Sequence, residues 1–251
     1  MSLQSTRLAQ RLAALASIDL ASIDLTGLAG KGAITVRDVA ALLPAPDRTA
    51  IAAPPGTRNE RLALAKRATP HFYQSIDVAL DSLLAFAAGL GLERETALPD
   101  LAVLATARLL RRTPALNAAW QEEGMLLYDR VDILLARAGR TILIADADRK
   151  GLRAIARSVA AAEDGEGTFA IADFAATGIL QAAAIVDPRR AGVLALGAPQ
   201  QRAAARDGGI AVETFCRLTL SADHRVIDGA AAAQFLSELK NSLESPLELL
   251  L

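Results

Sequence analysis

Cysteine and histidine are almost missing from this chain: Cys216, His71 and His224 are the only ones in 251 residues. A single cysteine excludes an internal disulfide and fits a reducing compartment, a bacterial-type cytoplasm or an organelle matrix. On an apolar stretch Cys216 reads as a small buried hydrophobe, because reactive thiols need polar, electropositive surroundings. With so few soft ligands, set far apart, no metal site is predicted. Aromatic residues make up 4% of the chain, so alanine and leucine must fill its core. The formal charge is −1, which offers no basic excess to attract nucleic acid. No run reaches ~18 uncharged apolar residues, so no membrane-spanning helix is predicted. The opening M-S-L-Q-S-T-R lacks a signal peptide's apolar stretch. Gly27, Gly30 and Gly32 precede a helical pattern but follow no strand, which argues against dinucleotide binding. What is present is 52% hydrophobic residues, enough for one sizeable domain and a small module.

One break in composition divides the chain. Residues 44–57 carry four prolines and a glycine with no apolar period, and proline's fixed φ makes such a stretch a semi-stiff linker. Before it, in residues 1–43, Leu8, Leu12 and Leu15 form one helical face with Arg7 and Arg11 beside it. A glycine-rich turn over 26–32 contains Lys31, and a second helix follows, capped by Thr35 with Asp38 at the capping-box position. After the linker, residues 58–251 mix strands and helices. Strands are predicted over 71–78, 131–135, 141–144, 167–171, 182–186, 192–196 and 211–220. Helices are predicted over 81–90, 100–112, 151–162 and 228–242. The strands do not alternate regularly with helices, so the fold class is α+β, a two-layer sandwich, and not a doubly wound sheet.

The most informative string is D-H-R-V-I-D-G at 223–229. It lies between a strand pattern and a long helix, so His224 sits on a strand-to-helix turn from which a side chain can reach a cleft. Asp223, Arg225 and Asp228 offer ion pairs that would orient the imidazole, and such a histidine can take a proton from a hydroxyl or thiol near neutral pH. Spacing alone favours a turn histidine with no chemistry.

The string resembles the D-H-R-x-x-D-G signature of the dihydrolipoamide acyltransferases, the E2 cores of 2-oxoacid dehydrogenase complexes. The resemblance extends along the chain in order. Arg7 and Arg11, I-D-L at 18–20, T-G-L-A-G-K at 26–31 and I-T-V-R-D-V at 34–39 are similar to the family's peripheral subunit-binding domain. T-P-H-F-Y at 69–73, P-A-L-N-A-A-W at 114–120, D-R-K-G-L at 148–152 and P-L-E-L-L-L at 246–251 are similar to its acyltransferase core. The resemblance implies a small helical subunit-binding domain, the linker, and a chloramphenicol acetyltransferase-like core. It implies His224 as the base, with Asp228 in its orienting turn, and coenzyme A as the acyl acceptor. It implies docking of the E3 dihydrolipoamide dehydrogenase, the E1 dehydrogenase or both on a basic face containing Arg7, Arg11 and Lys31. It also implies a homotrimer, with active sites between subunits and cubic or icosahedral cages built from trimers.

Four departures bear on function. No lipoyl domain is read in the chain, so acyl groups would arrive on a lipoyl-bearing partner chain. The family's T-P-x-G-L-x-x-P turn is replaced by the shorter A-R-A-G-R at 136–140. The segments before Thr69 and after Ala162 are shortened. Finally, the family's T-I-S-N-L-G reads A-I-A-D-F-A at 170–175, so Ala172 stands where a serine hydroxyl would bond the tetrahedral intermediate. These departures lead to the expectation of an oligomerising and recruiting core with acyl transfer weakened or lost. The intact His224 and Asp228 support the alternative, a working acyltransferase.

Overall fold

A fifteen-residue strand, β11 (Gly209–Asp223), organises the sheet. Its later residues alternate: Leu218, Leu220 and Ala222 are buried among helices, while Thr219 and Ser221 face the other way, the period-2 pattern of a strand with both faces covered. The computed structural model describes residues 58–121, 124–206 and 208–250, together with Gln4–Ser5, Gln10 and Ala33–Ile34. The chain divides into two compact units, 1–54 and 55–251. In the first, β1 (Gln4–Ser5) and β2 (Ala33–Ile34) pair in parallel. Arg7, Arg11, Lys31 and, apart from Gln10, both predicted N-terminal helices lie outside the described residues.

The second unit opens with α1 (Arg58–Ala68), followed by β3 (His71–Ala79), α2 (Asp81–Gly89) and α3 (Arg94–Arg112). A short ribbon, β4 (Ala118–Gln121) with β5 (Gly124–Leu127), stands apart from the main sheet. Then come β6 (Ile133–Arg137), β7 (Arg140–Ile144), α4 (Leu152–Ala161), β8 (Phe169–Asp173), β9 (Gly192–Leu196), β10 (Gln200–Arg206), β11 and α5 (Gly229–Glu244). The seven-stranded sheet runs β7-β6-β8-β9-β11, with β3 and β10 also paired to β11. β6, β8 and β9 are parallel to one another; the other pairings are antiparallel. Helices α2 to α5 pack on one face around Phe169, Phe235 and leucines such as Leu101, Leu104 and Leu239. This is the two-layer α+β arrangement expected from the sequence.

Two expectations change. Residues 182–186 form no strand. The buried Val186 donates its N–H to the His71 ring, and Ala184 and Ile185 line a cavity with Ala170 and Ala172 of the sheet, so these apolar side chains serve contact with the sheet and not pairing within it. Helix α3 begins six residues earlier than the predicted 100, with Pro99 inside it. Proline cannot donate to the Glu95 carbonyl one turn back, and a guanidinium N–H of Arg137 donates to that oxygen instead, at 3.3 Å.

Several sequence blocks meet in one buried polar junction. The Asn117 amide donates to the Tyr128 and Arg130 carbonyls, and the Thr168 hydroxyl donates to Asn117 Oδ1 at 2.6 Å. Asp132 accepts from the Asp146 N–H. A Cβ on Gly167 would fall 2.7 Å from the Asp132 carbonyl, so only glycine allows this approach. These residues hold the frame.

Candidate active site

The turn after β11 is fixed by backbone and ion-pair contacts. The His224 N–H donates to the Pro70 carbonyl at 3.0 Å, tying the end of β11 to the start of β3. Asp223 is 3% exposed. Its carboxylate accepts from the Arg225 backbone N–H at 3.0 Å and from the Arg225 guanidinium at 2.7 Å. The hydrogen bond to Asp223 raises the already high pKa of Arg225. Arg225 also lies over the Trp120 ring, 5.4 Å from its centroid, a cation–π contact.

The His224 imidazole is solvent-exposed and packs against Phe72, with ring centroids 4.9 Å apart. Its ring nitrogens make no hydrogen bond to a described residue. That corrects the expected ion-pair orientation of the ring. Asp223 is consumed by Arg225, and Asp228 is turned back onto its own helix. As N-cap of α5, Asp228 accepts from the Ala231 N–H at 2.8 Å, satisfying one of the helix's free donors. The imidazole is therefore positioned by Phe72 and by its backbone, with both nitrogens available to a substrate.

His71 is its opposite. Nδ1 lies 2.8 Å from the Thr69 carbonyl and Nε2 accepts from Val186 N–H at 3.0 Å. Both nitrogens are used in the frame, as suits the neutral tautomer. Cys216 is buried as expected. Desolvation pushes its thiol up to about 12, and Sγ donates to the Gly197 carbonyl. Among the described residues no group of three His, Cys, Asp or Glu side chains could hold a metal ion, and no helix is long and apolar enough to cross a membrane.

Ala172 lies near the end of β8, flanked in register by Ala136 on β6 and Ala195 on β9. Above it is a cavity of about 80 Å³, lined by Ala136, Ala170, Ala172, Ile185 and Leu62 among others. The next residue, Asp173, is 8% exposed and bonds Arg137 at 3.2 Å. Sequence reading missed this pair, since only the β6–β8 register brings Arg137 opposite Asp173.

The sheet also fixes how far the two positions are apart. Ala172 pairs with Ala195, and Ala195 pairs with Thr219 on β11. His224 is five residues past Thr219, roughly 17 Å along the strand direction at ~3.4 Å per residue. His224 is not among the residues lining the cavity over Ala172. A base and an oxyanion donor must each approach the reacting group within ~3 Å, so these two positions of one chain cannot serve one carbonyl.

Residues 56–251 match the catalytic domain of the 2-oxoacid dehydrogenases acyltransferase family. The acetyltransferase component of the pyruvate dehydrogenase complex of Rickettsia conorii is 32% identical over 76% of this chain. The chain spans about half that relative's length, 52%. Among solved structures, the cubic core of the pyruvate dehydrogenase multienzyme complex superposes with a TM-score of 0.69 at 24% identity, over 83% of this chain and 99% of that one. The same values hold for the dihydrolipoamide acetyltransferase of Azotobacter vinelandii, in which a serine, a histidine and an asparagine have been investigated for their role in the catalytic mechanism. Chloramphenicol acetyltransferase shares the fold with a TM-score of 0.52 at 16% identity, over 74% of this chain and 94% of that one. Turn, sheet and similarity agree: this chain belongs to the 2-oxoacid dehydrogenase acyltransferase family, the dihydrolipoamide acyltransferases.

Proposed function

We propose that the chain is the E2-type core of a 2-oxoacid dehydrogenase complex, with active sites built between copies and acyl transfer weakened by the methyl group at Ala172. The observation that carries this reading is the register path from Ala172 to Thr219, which leaves His224 of the same copy too far away. A second copy must then bring its own His224 to the cavity over Ala172. In the Azotobacter vinelandii enzyme the histidine follows the serine by fifty-two positions and the asparagine by four more. Ala172, His224 and Asp228 repeat that spacing.

In this reading His224 takes the proton of the coenzyme A thiol, whose free pKa is about 8.5. The thiolate attacks the thioester carbonyl of an S-acyl dihydrolipoamide. Collapse of the tetrahedral intermediate breaks the bond to the dihydrolipoamide sulfur, which recovers the proton from the imidazolium. The acyl group arrives on a lipoyl-bearing chain. Loss of one preorganised donor to the oxyanion slows such a step by about 10² to 10³. A fully working acyltransferase is the second reading, favoured by the exposed imidazole with both nitrogens available.

One assay separates the readings: transfer from an S-acyl dihydrolipoamide to coenzyme A by wild type, His224→Ala and Ala172→Ser. Weakened catalysis gives a low wild-type rate, a loss in His224→Ala and a gain of tenfold or more in Ala172→Ser. A high wild-type rate unchanged by Ala172→Ser supports the second reading. Wild type no better than His224→Ala would leave only a structural role.

Residues 1–43 form, in the same proposal, a peripheral subunit-binding domain joined by the linker 44–57. Its basic face with Arg7, Arg11 and Lys31 recruits E3, E1 or both by charge, a mode that gives fast, salt-sensitive association. Titration of purified E1 and E3 should show binding that weakens with salt and with Arg11→Ala. Failure of both enzymes to bind at low salt would remove the recruiting role.

A further inference from the structure

Arg149, Lys150, Arg153 and Arg157 fall within nine residues at the start of α4, and none of their side chains bonds a described residue. Elsewhere in this unit acids and arginines meet in pairs, as Arg217 does with Asp77 at 2.7 Å. Of the acids nearest in sequence, Asp148 is engaged by Arg111 at 3.3 Å, and none of Asp146, Glu163 and Asp164 pairs with the four. The arrangement works against the helix that carries it. The first turn of α4 contains no acid and includes Arg153, where the helix dipole disfavours a cation. Arg153 and Arg157 are one turn apart on one side, a like-charge spacing that destabilises helices. Folding alone gives no reason for either.

Beside these cations lies an apolar cleft of about 500 Å³, floored by Leu90, Leu92, Leu152 and Ala154 with Arg153 and Arg157 at its rim. Leu90 is 48% exposed although large and apolar. Arg153 and Arg157 are ~6 Å apart along the helix axis, and Arg149 and Lys150 precede the helix by a few residues. Charge strung along a line suits an extended polyanion better than one compact anion. A concave apolar floor suits side chains inserted from a polypeptide better than the broad face of a lipid surface.

We propose that this cleft docks an acidic segment of a partner protein, its leucine-sized side chains on the floor and its carboxylates along the four cations. The surface is separate from His224 and Ala172, so the proposal goes beyond acyl transfer and stands without it.

The test is fluorescence anisotropy on the full chain with a labelled peptide of alternating paired glutamates and paired leucines, against the same peptide with lysine for glutamate. The glutamate peptide should bind and the lysine peptide should not. Added salt should weaken binding, as screening shortens the reach of exposed charges. Arg153→Glu/Arg157→Glu should lower affinity tenfold or more without lowering the melting temperature or changing the oligomeric mass. Arg149→Gln/Lys150→Gln should lower it by a smaller factor. Equal binding by the double glutamate variant, or no binding by wild type at low salt, would overturn the proposal. So would binding of phosphatidylglycerol vesicles or of coenzyme A that needs Arg153 and Arg157 in the absence of peptide binding; these results would reassign the cleft to a membrane or to a small polyanion.

Discussion

Asp100 shows what a single buried charge does to this fold. It is 4% exposed within α3, and one carboxylate oxygen has no partner. Burial pushes its pKa from 3.8 up to about 6; Arg137 opposes the rise and Asp173 adds to it. The folded state therefore holds this proton more tightly than the unfolded chain. Asp100 penalises folding above about pH 6, and the penalty disappears as pH falls towards 3.8. At ~1.4 kcal/mol per tenfold, its upper size at pH 7 is about 3 kcal/mol. Asp100→Asn should raise stability at pH 7 by about 1–3 kcal/mol in chemical denaturation, and the gain should vanish near pH 4. A variant equally stabilised at both values would show that the charge is not the cause. His224 stood out in the sequence because its string is local. The role of Arg137 did not: it pairs with Asp173 and serves the Glu95 carbonyl across the fold, and no spacing rule announces such contacts.

At the scale of elements, the strongly periodic segments were legible and the supported ones were not. β3 and α5 appear within two residues of their predicted ends, because alternation in one and a capped apolar stripe in the other are local signals. Helix α1 has six charged or amide side chains in eleven residues and a weak apolar face, so its sequence carries little helical period. Pro99 masked the first turns of α3. β10 reads Q-Q-R-A-A-A-R, poor in β-branched residues, and is a strand because β11 pairs with it along its whole length. Strand propensity here is a property of the neighbour. Asp228 shows the same limit within the site. The string marked it, yet its observed bond is a helix cap, which explains its placement at the start of α5 without any step of chemistry.

At the scale of the whole molecule, exposed apolar side chains point to what completes the site. Ile210 and Val212 on β11 are 85% and 71% exposed, and Leu247 after α5 is 70% exposed. Met125 and Leu127 of the small ribbon are also exposed, on the hairpin that carries Trp120 beneath Arg225 and so borders the His224 turn. Covering such side chains is favourable by ~1.5–3 kcal/mol each at full burial, which favours association of copies, commonly by closed symmetry. If a second copy brings His224 to the cavity over Ala172, two different defects should complement one another. His224→Ala removes the base from one copy. Ala172→Phe fills the cavity of about 80 Å³ in the other and leaves its His224 intact. Each variant alone should lack transfer. Co-refolded mixtures should regain part of it, because some interfaces pair an intact His224 with an open cavity. Native mass spectrometry would confirm that mixed oligomers formed. Mixed oligomers without activity, beside an active wild type, would place base and cavity in one copy and contradict the register path from Ala172 through Ala195 to Thr219 on which the shared site rests.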